Sequence, residues 1–217
     1  MVFKRRDKRT YAQRLADGVY PRGGWARAIY YILHRLRRLP DPPYRIARGI
    51  AVGVFVSFTP FFGFHFVIAV LLAWIMQGNM LAALLATFFG NPLTFPFIIG
   101  ISMELGSRIL GLSAGFPLHT IVDAFGNAAL ELWWNFKAMF TSDTAHWGSL
   151  ARFFQEVFLP YLVGGLIPGV IMGLIAYFVS RPIISAYQVS RIKRLKKRYE
   201  KRRKMEAARA DARLKTE

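Results

Sequence analysis

Two short stretches carry the polar chemistry of an otherwise apolar tract. The first is Thr59-Pro60-Phe61-Phe62-Gly63, with His65 close behind, and the second is Gly90-Asn91-Pro92-Leu93-Thr94-Phe95-Pro96. Proline lacks a backbone N–H and clashes with the preceding turn, so each stretch interrupts a helix. At the second, Asn91 can cap the following helix with Pro92 in its first turn. That leaves amide groups of positive partial charge, an end that attracts anions. Around Pro60 the same interruption leaves carbonyls and amides between two half-helices, beside His65, the one readily titrating group of the tract. Paired broken helices build the midplane sites of many transporters. Pro60, Gly63, His65, Asn79, Asn91, Pro92 and Thr94 are therefore the candidate ligand or pathway residues. The plainer alternative is that Pro, Gly and Asn form the tips of buried hairpins whose backbone is satisfied by neighbours.

No enzyme motif accompanies these groups. There is no Gly-rich phosphate loop, no HExxH, no GxSxG and no carboxylate pair inside the tract, so no catalytic residue is assigned and no cofactor is expected. Cysteine is absent, which removes disulfides, thiolate metal ligation and thiol nucleophiles. His34, His65, His119 and His146 lie on four separate segments, so spacing argues for no metal site.

The elements that position the breaks follow from hydropathy and charge. From Gly49 to Met103 there is no Asp, Glu, Lys or Arg, a run more than twice the ~20 apolar residues of one helical membrane crossing. The expected class is an all-α membrane protein: a small helical bundle with short broken or re-entrant helices, plus interfacial amphipathic helices. A chain of 217 residues holds one modest domain of this kind. Its net charge of +18 lies almost wholly before Gly49 and after Ser180, with only Arg108, Lys137 and Arg152 between. The positive-inside bias then places both termini in the cytoplasm and requires an even number of crossings in a multi-pass protein.

Residues 1–24 read as a basic mobile arm. Residues 25–40 read as a cytoplasmic amphipathic helix, with Trp25, Ile29, Ile32, Leu33 and Leu36 on one side and Arg27, Arg35, Arg37 and Arg38 turned to anionic lipid headgroups. Residues 43–112 form the membrane domain, in short runs from Tyr44 to Phe58, Phe64 to Gln77, Met80 to Phe89 and Phe97 to Leu110. The first reaches about 22 Å at ~1.5 Å per residue, short of a ~30 Å hydrocarbon core. Parity leaves two arrangements: a re-entrant hairpin followed by one crossing, or three short crossings.

Residues 113–150 carry Asp123, Glu131 and Asp143 with few bases, and are expected outside. Their stripe of Ile121, Phe125, Ala128, Leu132, Phe136 and Met139 suits an interfacial helix or a lid on the bundle. Residues 153–180 form the last transmembrane helix, containing Pro160 and Pro168. Gly165, Gly169 and Gly173 give it one narrow face for close helix contact, within the chain or in a homo-oligomer. Residues 181–217 form a basic cytoplasmic tail, with Arg194, Lys196 and Lys197 placed to meet anionic lipid.

Between about Pro43 and Gly111 the sequence resembles a bacterial membrane family known as domain of unknown function 2062. The resemblance rests on Ala51-Val52-Gly53-Val54-Phe55, Pro60-Phe61-Phe62-Gly63-Phe64-His65, Asn79, Asn91-Pro92-Leu93-Thr94 and Leu105-Gly106. It implies a bacterial inner-membrane location and no assigned activity. Similar domains occur fused to glycosyltransferases, which points to envelope lipids or glycans. The leading expectation is a non-enzymatic inner-membrane protein handling an anionic lipid-linked or small envelope molecule at the two breaks. One alternative is a membrane scaffold or partner in envelope assembly. Another is a nucleic-acid or ribosome binder acting through the basic termini, disfavoured because those termini lack interleaved aromatics.

Overall fold

The computed structural model describes residues 24–37, 39–112, 118–141 and 144–214; the basic arm before Gly24 and Arg38 lie outside them. All regular structure among the described residues is helical. In chain order it comprises α1 (Gly24–Arg37), α2 (Pro43–Val56), α3 (His65–Ile75), α4 (Met80–Ala86) and a tighter turn (Thr87–Phe89). There follow α5 (Phe95–Leu110), α6 (Leu118–Ala138), α7 (Gly148–Phe153), a π-helical turn (Phe154–Phe158) and α8 (Leu159–Leu214).

Helix α2 is the centre of the bundle. It starts where expected, with Pro43 in the first turn and the amides of Arg45 and Ile46 bonded to the Pro42 carbonyl at 3.0 and 3.2 Å. A side chain at Gly49 would fall on the Asn79 carbonyl and one at Gly53 on the Ala83 carbonyl. The two backbones are therefore in direct contact, and α4 runs parallel to α2 in the register Gly49 to Asn79, Gly53 to Ala83, Ser57 to Thr87. Helix α3 covers another side of α2, burying Ala69 and Ala73 against Val52, Val56 and Ala83. It ends beside the start of α2, where Gly78 meets the backbone of Arg48 and Gly49. Helices α2 and α3 thus form a hairpin with the first break at its tip. Helix α4 repeats the path of α2, and α5 then continues past the tip.

Helix α8 runs antiparallel to both α2 and α5. Gly164 rests on the backbone of Ser102 and Gly106, and Gly106 rests on that of Pro160. Further along, Gly165 meets Phe58, Gly169 meets Phe55 and Phe58, and Gly173 meets Ala51. Ile184 joins Leu36, Leu39, Ile46 and Ala82 in a buried cluster, and Gln188 donates to the Asp41 carbonyl at 2.9 Å.

The helix does not stop at residue 180, where the last apolar segment ends, because α8 runs through Pro168 and Pro182. A proline in an exposed helix interior costs about 3 kcal/mol. Here the turn after Pro182 is pinned by buried Ile184 and by Gln188, which holds the helix together. Pro160 is accommodated differently, since the π-helical turn ends just before it and already departs from the ordinary bonding pattern. Helix α5 starts at Phe95, with Thr94 rather than Asn91 at its cap and Pro96 rather than Pro92 in its first turn.

The stripe expected along α6 holds only at its beginning. Ile121 and Ala128 are buried and Phe125 packs beside Tyr161, whereas Leu132, Phe136 and Met139 are exposed. The buried face turns toward Asn135, which grips the backbone of His146 ahead of α7. In α1, Leu36 is buried, Ile29 is exposed, and Arg27 and Arg35 are exposed. The side chains of Trp25, Leu33 and Arg37 lie outside the described set.

Among the described residues one continuous helical run, Gly148–Glu206, is long and apolar enough to cross a membrane, and only 22% of its most apolar window is buried. His65–Ile75 and Met80–Phe89 are apolar but shorter.

Candidate functional site at the paired helix breaks

The two breaks lie side by side and follow the same path. In each, a hydroxyl residue returns its proton to a carbonyl of its own helix: Ser57 to Gly53 at 3.0 Å, Thr87 to Leu84 at 2.7 Å. Each then makes a turn and restarts as a helix, at His65 and at Phe95. The rings of Phe58 and Phe89 stack at 6.1 Å, and those of His65 and Phe95 lie 6.5 Å apart.

At the first break Thr59 donates to the Val56 carbonyl at 2.7 Å, and His65 Nε2 donates to the Thr59 carbonyl at 3.0 Å, closing the turn over Pro60. Gly63 has φ 87°, a left-handed conformation in which a side chain would be strained. At the second break Asn91 and Thr94 cap each other. Asn91 Oδ1 accepts from the amides of Leu93 and Thr94 at 2.9 and 3.2 Å, while Thr94 Oγ1 accepts from the Asn91 amide at 3.0 Å. The Phe95 amide goes to the Asn91 carbonyl at 2.8 Å, and Pro92 and Pro96 have no N–H to offer. The open, anion-attracting helix end expected here is therefore largely closed by its own side chains.

Residues 26–193 match the model of a family described as an uncharacterized protein conserved in bacteria (DUF2062). The chain belongs to that family. No curated protein and no solved structure matches it. The DUF2062 match exceeds the Pro43 to Gly111 limits read from motifs at both ends, taking in most of α1, all of α6 and α8 as far as Lys193. The geometry gives the reason, because α8 supplies the wall against which α2 and α5 pack.

Within this DUF2062 chain Phe62 is the residue that ties the breaks to that wall, and sequence reasoning missed it. Its ring lies 5.5 Å from His65, 5.1 Å from Phe95, 4.6 Å from Phe125 and 5.9 Å from Tyr161. Tyr161 was missed as well. Its hydroxyl and that of Ser102 are buried with no hydrogen-bond partner among the described residues. A buried hydroxyl without a partner costs roughly 1–3 kcal/mol, so these two are polar capacity left over in the core.

Asn79 does not belong with the breaks. It sits at the opposite end of α2, where its Oδ1 caps α4 through the Ala82 amide at 2.6 Å and its amide N–H reaches the Arg45 carbonyl at 2.9 Å. Its side-chain amide donates to Asp41, which also meets Arg45 at 3.3 Å. Arg48 lies over the Tyr44 ring at 5.4 Å. This end of the bundle is polar and basic, and the breaks are remote from it. The turn that brings the chain back is fixed by Gln77, at φ 51°. Gly165, Gly169 and Gly173 spend their narrow face on α2 within the chain. Arg194, Lys196 and Lys197 are exposed on the outer half of α8. Among the described residues no group of His, Asp and Glu is placed to hold a metal ion.

Proposed function

We propose that this DUF2062 protein is a multi-pass, non-enzymatic protein of the bacterial cytoplasmic membrane that handles an anionic lipid-linked or small envelope molecule. The two unpartnered hydroxyls of Tyr161 and Ser102, behind the first break, carry this reading. Unpartnered hydroxyls in a core are retained at a cost, and a polar group of a passing or bound molecule would remove it. Support for membrane embedding comes from the outer surface. Phe66, Val67, Leu71 and Trp74 on α3, Phe97 and Ile101 on α5, and Leu166, Val170, Leu174 and Phe178 on α8 are all exposed. Water would leave that belt uncompensated, whereas lipid matches it.

In this reading α2 and α3 form a re-entrant hairpin and α4 with α5 one broken crossing. Helix α8 is the return crossing, and both termini stay with the basic residues in the cytoplasm. The glycine face of α8 is already occupied, so a scaffold role would need another docking surface. The test is native mass spectrometry of the detergent-extracted protein. Wild type is expected to keep an anionic lipid or lipid-linked sugar, with several-fold less retained by Tyr161→Phe and by Ser102→Ala. Equal retention in both variants would refute handling at the breaks. A reporter fused at Thr144 that is active in the cytoplasm would refute the topology.

A further inference from the structure

At the basic end of the bundle, away from the breaks, a cavity of about 290 Å³ opens between the start of α2 and the middle of α8. Pro43, Tyr44, Arg181, Pro182 and Ser185 line it. Arg181 brings the single formal charge of that lining, and Tyr44 and Ser185 bring two hydroxyl donors. Among the described residues no carboxylate lines it. The nearest acid described above, Asp41, is already engaged by Arg45 and by the side-chain amide of Asn79. Arg48, over the Tyr44 ring at 5.4 Å, points to the Met76 carbonyl at 3.4 Å and is not part of the lining. The amides of Arg45 and Ile46 are spent on Pro42, so the guanidinium and the hydroxyls, not the end of α2, make the site attractive to an anion.

We infer that this cavity holds the phosphate of an anionic lipid headgroup. An arginine fork matches phosphate oxygens two at a time, and hydroxyl donors complete the remaining lone pairs. The volume lies at the low end for a small-molecule pocket and suits a headgroup without its acyl chains. Those chains have a path. Ile175, Phe178 and Val179 precede Arg181 and Pro182 at helical spacing and are exposed, forming an apolar strip that leads out of the cavity along α8. The level is also right if α8 crosses the membrane, because Arg181 is the first charge after its apolar stretch. This inference rests on the membrane reading but not on handling at the breaks.

The test is a titration of the detergent-extracted full chain with phosphatidylglycerol and phosphatidylcholine of equal chain length, read by native mass spectrometry. Wild type should prefer phosphatidylglycerol by about tenfold, because both headgroups offer a phosphate to Arg181 but the choline cation of phosphatidylcholine is repelled by the guanidinium. Arg181→Gln should bring the ratio near one, and Arg181→Lys should keep part of it. Lys197→Gln, a neutralisation on the exposed tail, should leave it intact. Ser185→Ala removes no charge and should lower retention by a few-fold, which keeps the test decisive should Arg181→Gln misfold. Retention in excess inorganic phosphate supports lipid as the occupant, whereas displacement by phosphate assigns the cavity to the free ion and overturns the lipid. An unchanged ratio in Arg181→Gln, or unchanged retention in Ser185→Ala, overturns the cavity itself. Recovery of the protein in solution without detergent overturns the membrane reading instead.

Discussion

Asn79 donates its side-chain amide to the carboxylate of Asp41 while its own carbonyl lies where a side chain on Gly49 would have to be. One residue thereby ties together the loop before α2, the middle of α2 and the first turn of α4. Its polar groups serve the joint between the hairpin and the helix that repeats it.

Asn79→Ala should lower stability by about 1–2 kcal/mol, from loss of a helix cap together with an Asp41 carboxylate left short of a donor. A thermal scan in detergent reads this directly. Unchanged stability would mean that the joint is held by backbone contacts alone.

Gly53→Val should disrupt the parallel contact of α2 with α4, because the new side chain lands on the Ala83 carbonyl with no flexible neighbour to yield. Overpacking of this sort costs about 1–3 kcal/mol or prevents folding. Gly100→Ala, at a position with open space around it, is the matched control and should be neutral or slightly stabilising. Comparable loss in both would point to a general intolerance of the helices.

Asn91→Ala and Thr94→Val remove two sides of one reciprocal set of hydrogen bonds. Their effects on stability should fall short of additive by about 0.5–3 kcal/mol in a double-mutant cycle. Additive losses would show that each side chain acts on its own.

Tyr161→Phe separates structure from function by sign. Removing a buried hydroxyl without a partner should leave the melting temperature unchanged or raise it, while ligand retention falls. A lower melting temperature would reveal a hydrogen bond that the hydroxyl makes in the membrane.

The breaks were legible in the sequence because proline, glycine and asparagine act over a few residues. Pro60, Gly63, Asn91 and Thr94 therefore mark turns whatever surrounds them. Asn79 misled for the complementary reason. Its place within an apolar tract says nothing of Gln77 and Gly78 having just returned the chain to its basic end. The small-residue spacing that flagged Gly165, Gly169 and Gly173 also runs through Gly49 and Gly53, where it was overlooked inside a uniformly apolar helix. The stripe on α6 failed past Ala128 because polar Asn135 is drawn inward by the His146 backbone. Phe62 and Tyr161 have no local signature, since their importance lies in which four helices meet at one ring.

Helix α8 is 56 residues long, which at ~1.5 Å each is about 84 Å of unbroken rod. Beyond Gln188, the last residue tied to the bundle by a hydrogen bond described above, every residue from Arg191 to Glu206 is exposed. A tail of the same composition without helical order would sample a cloud of positions. A rod fixed at one end against α2 and α5 is instead a gauge of distance, carrying its lysines and arginines at a set height and bearing from the two breaks.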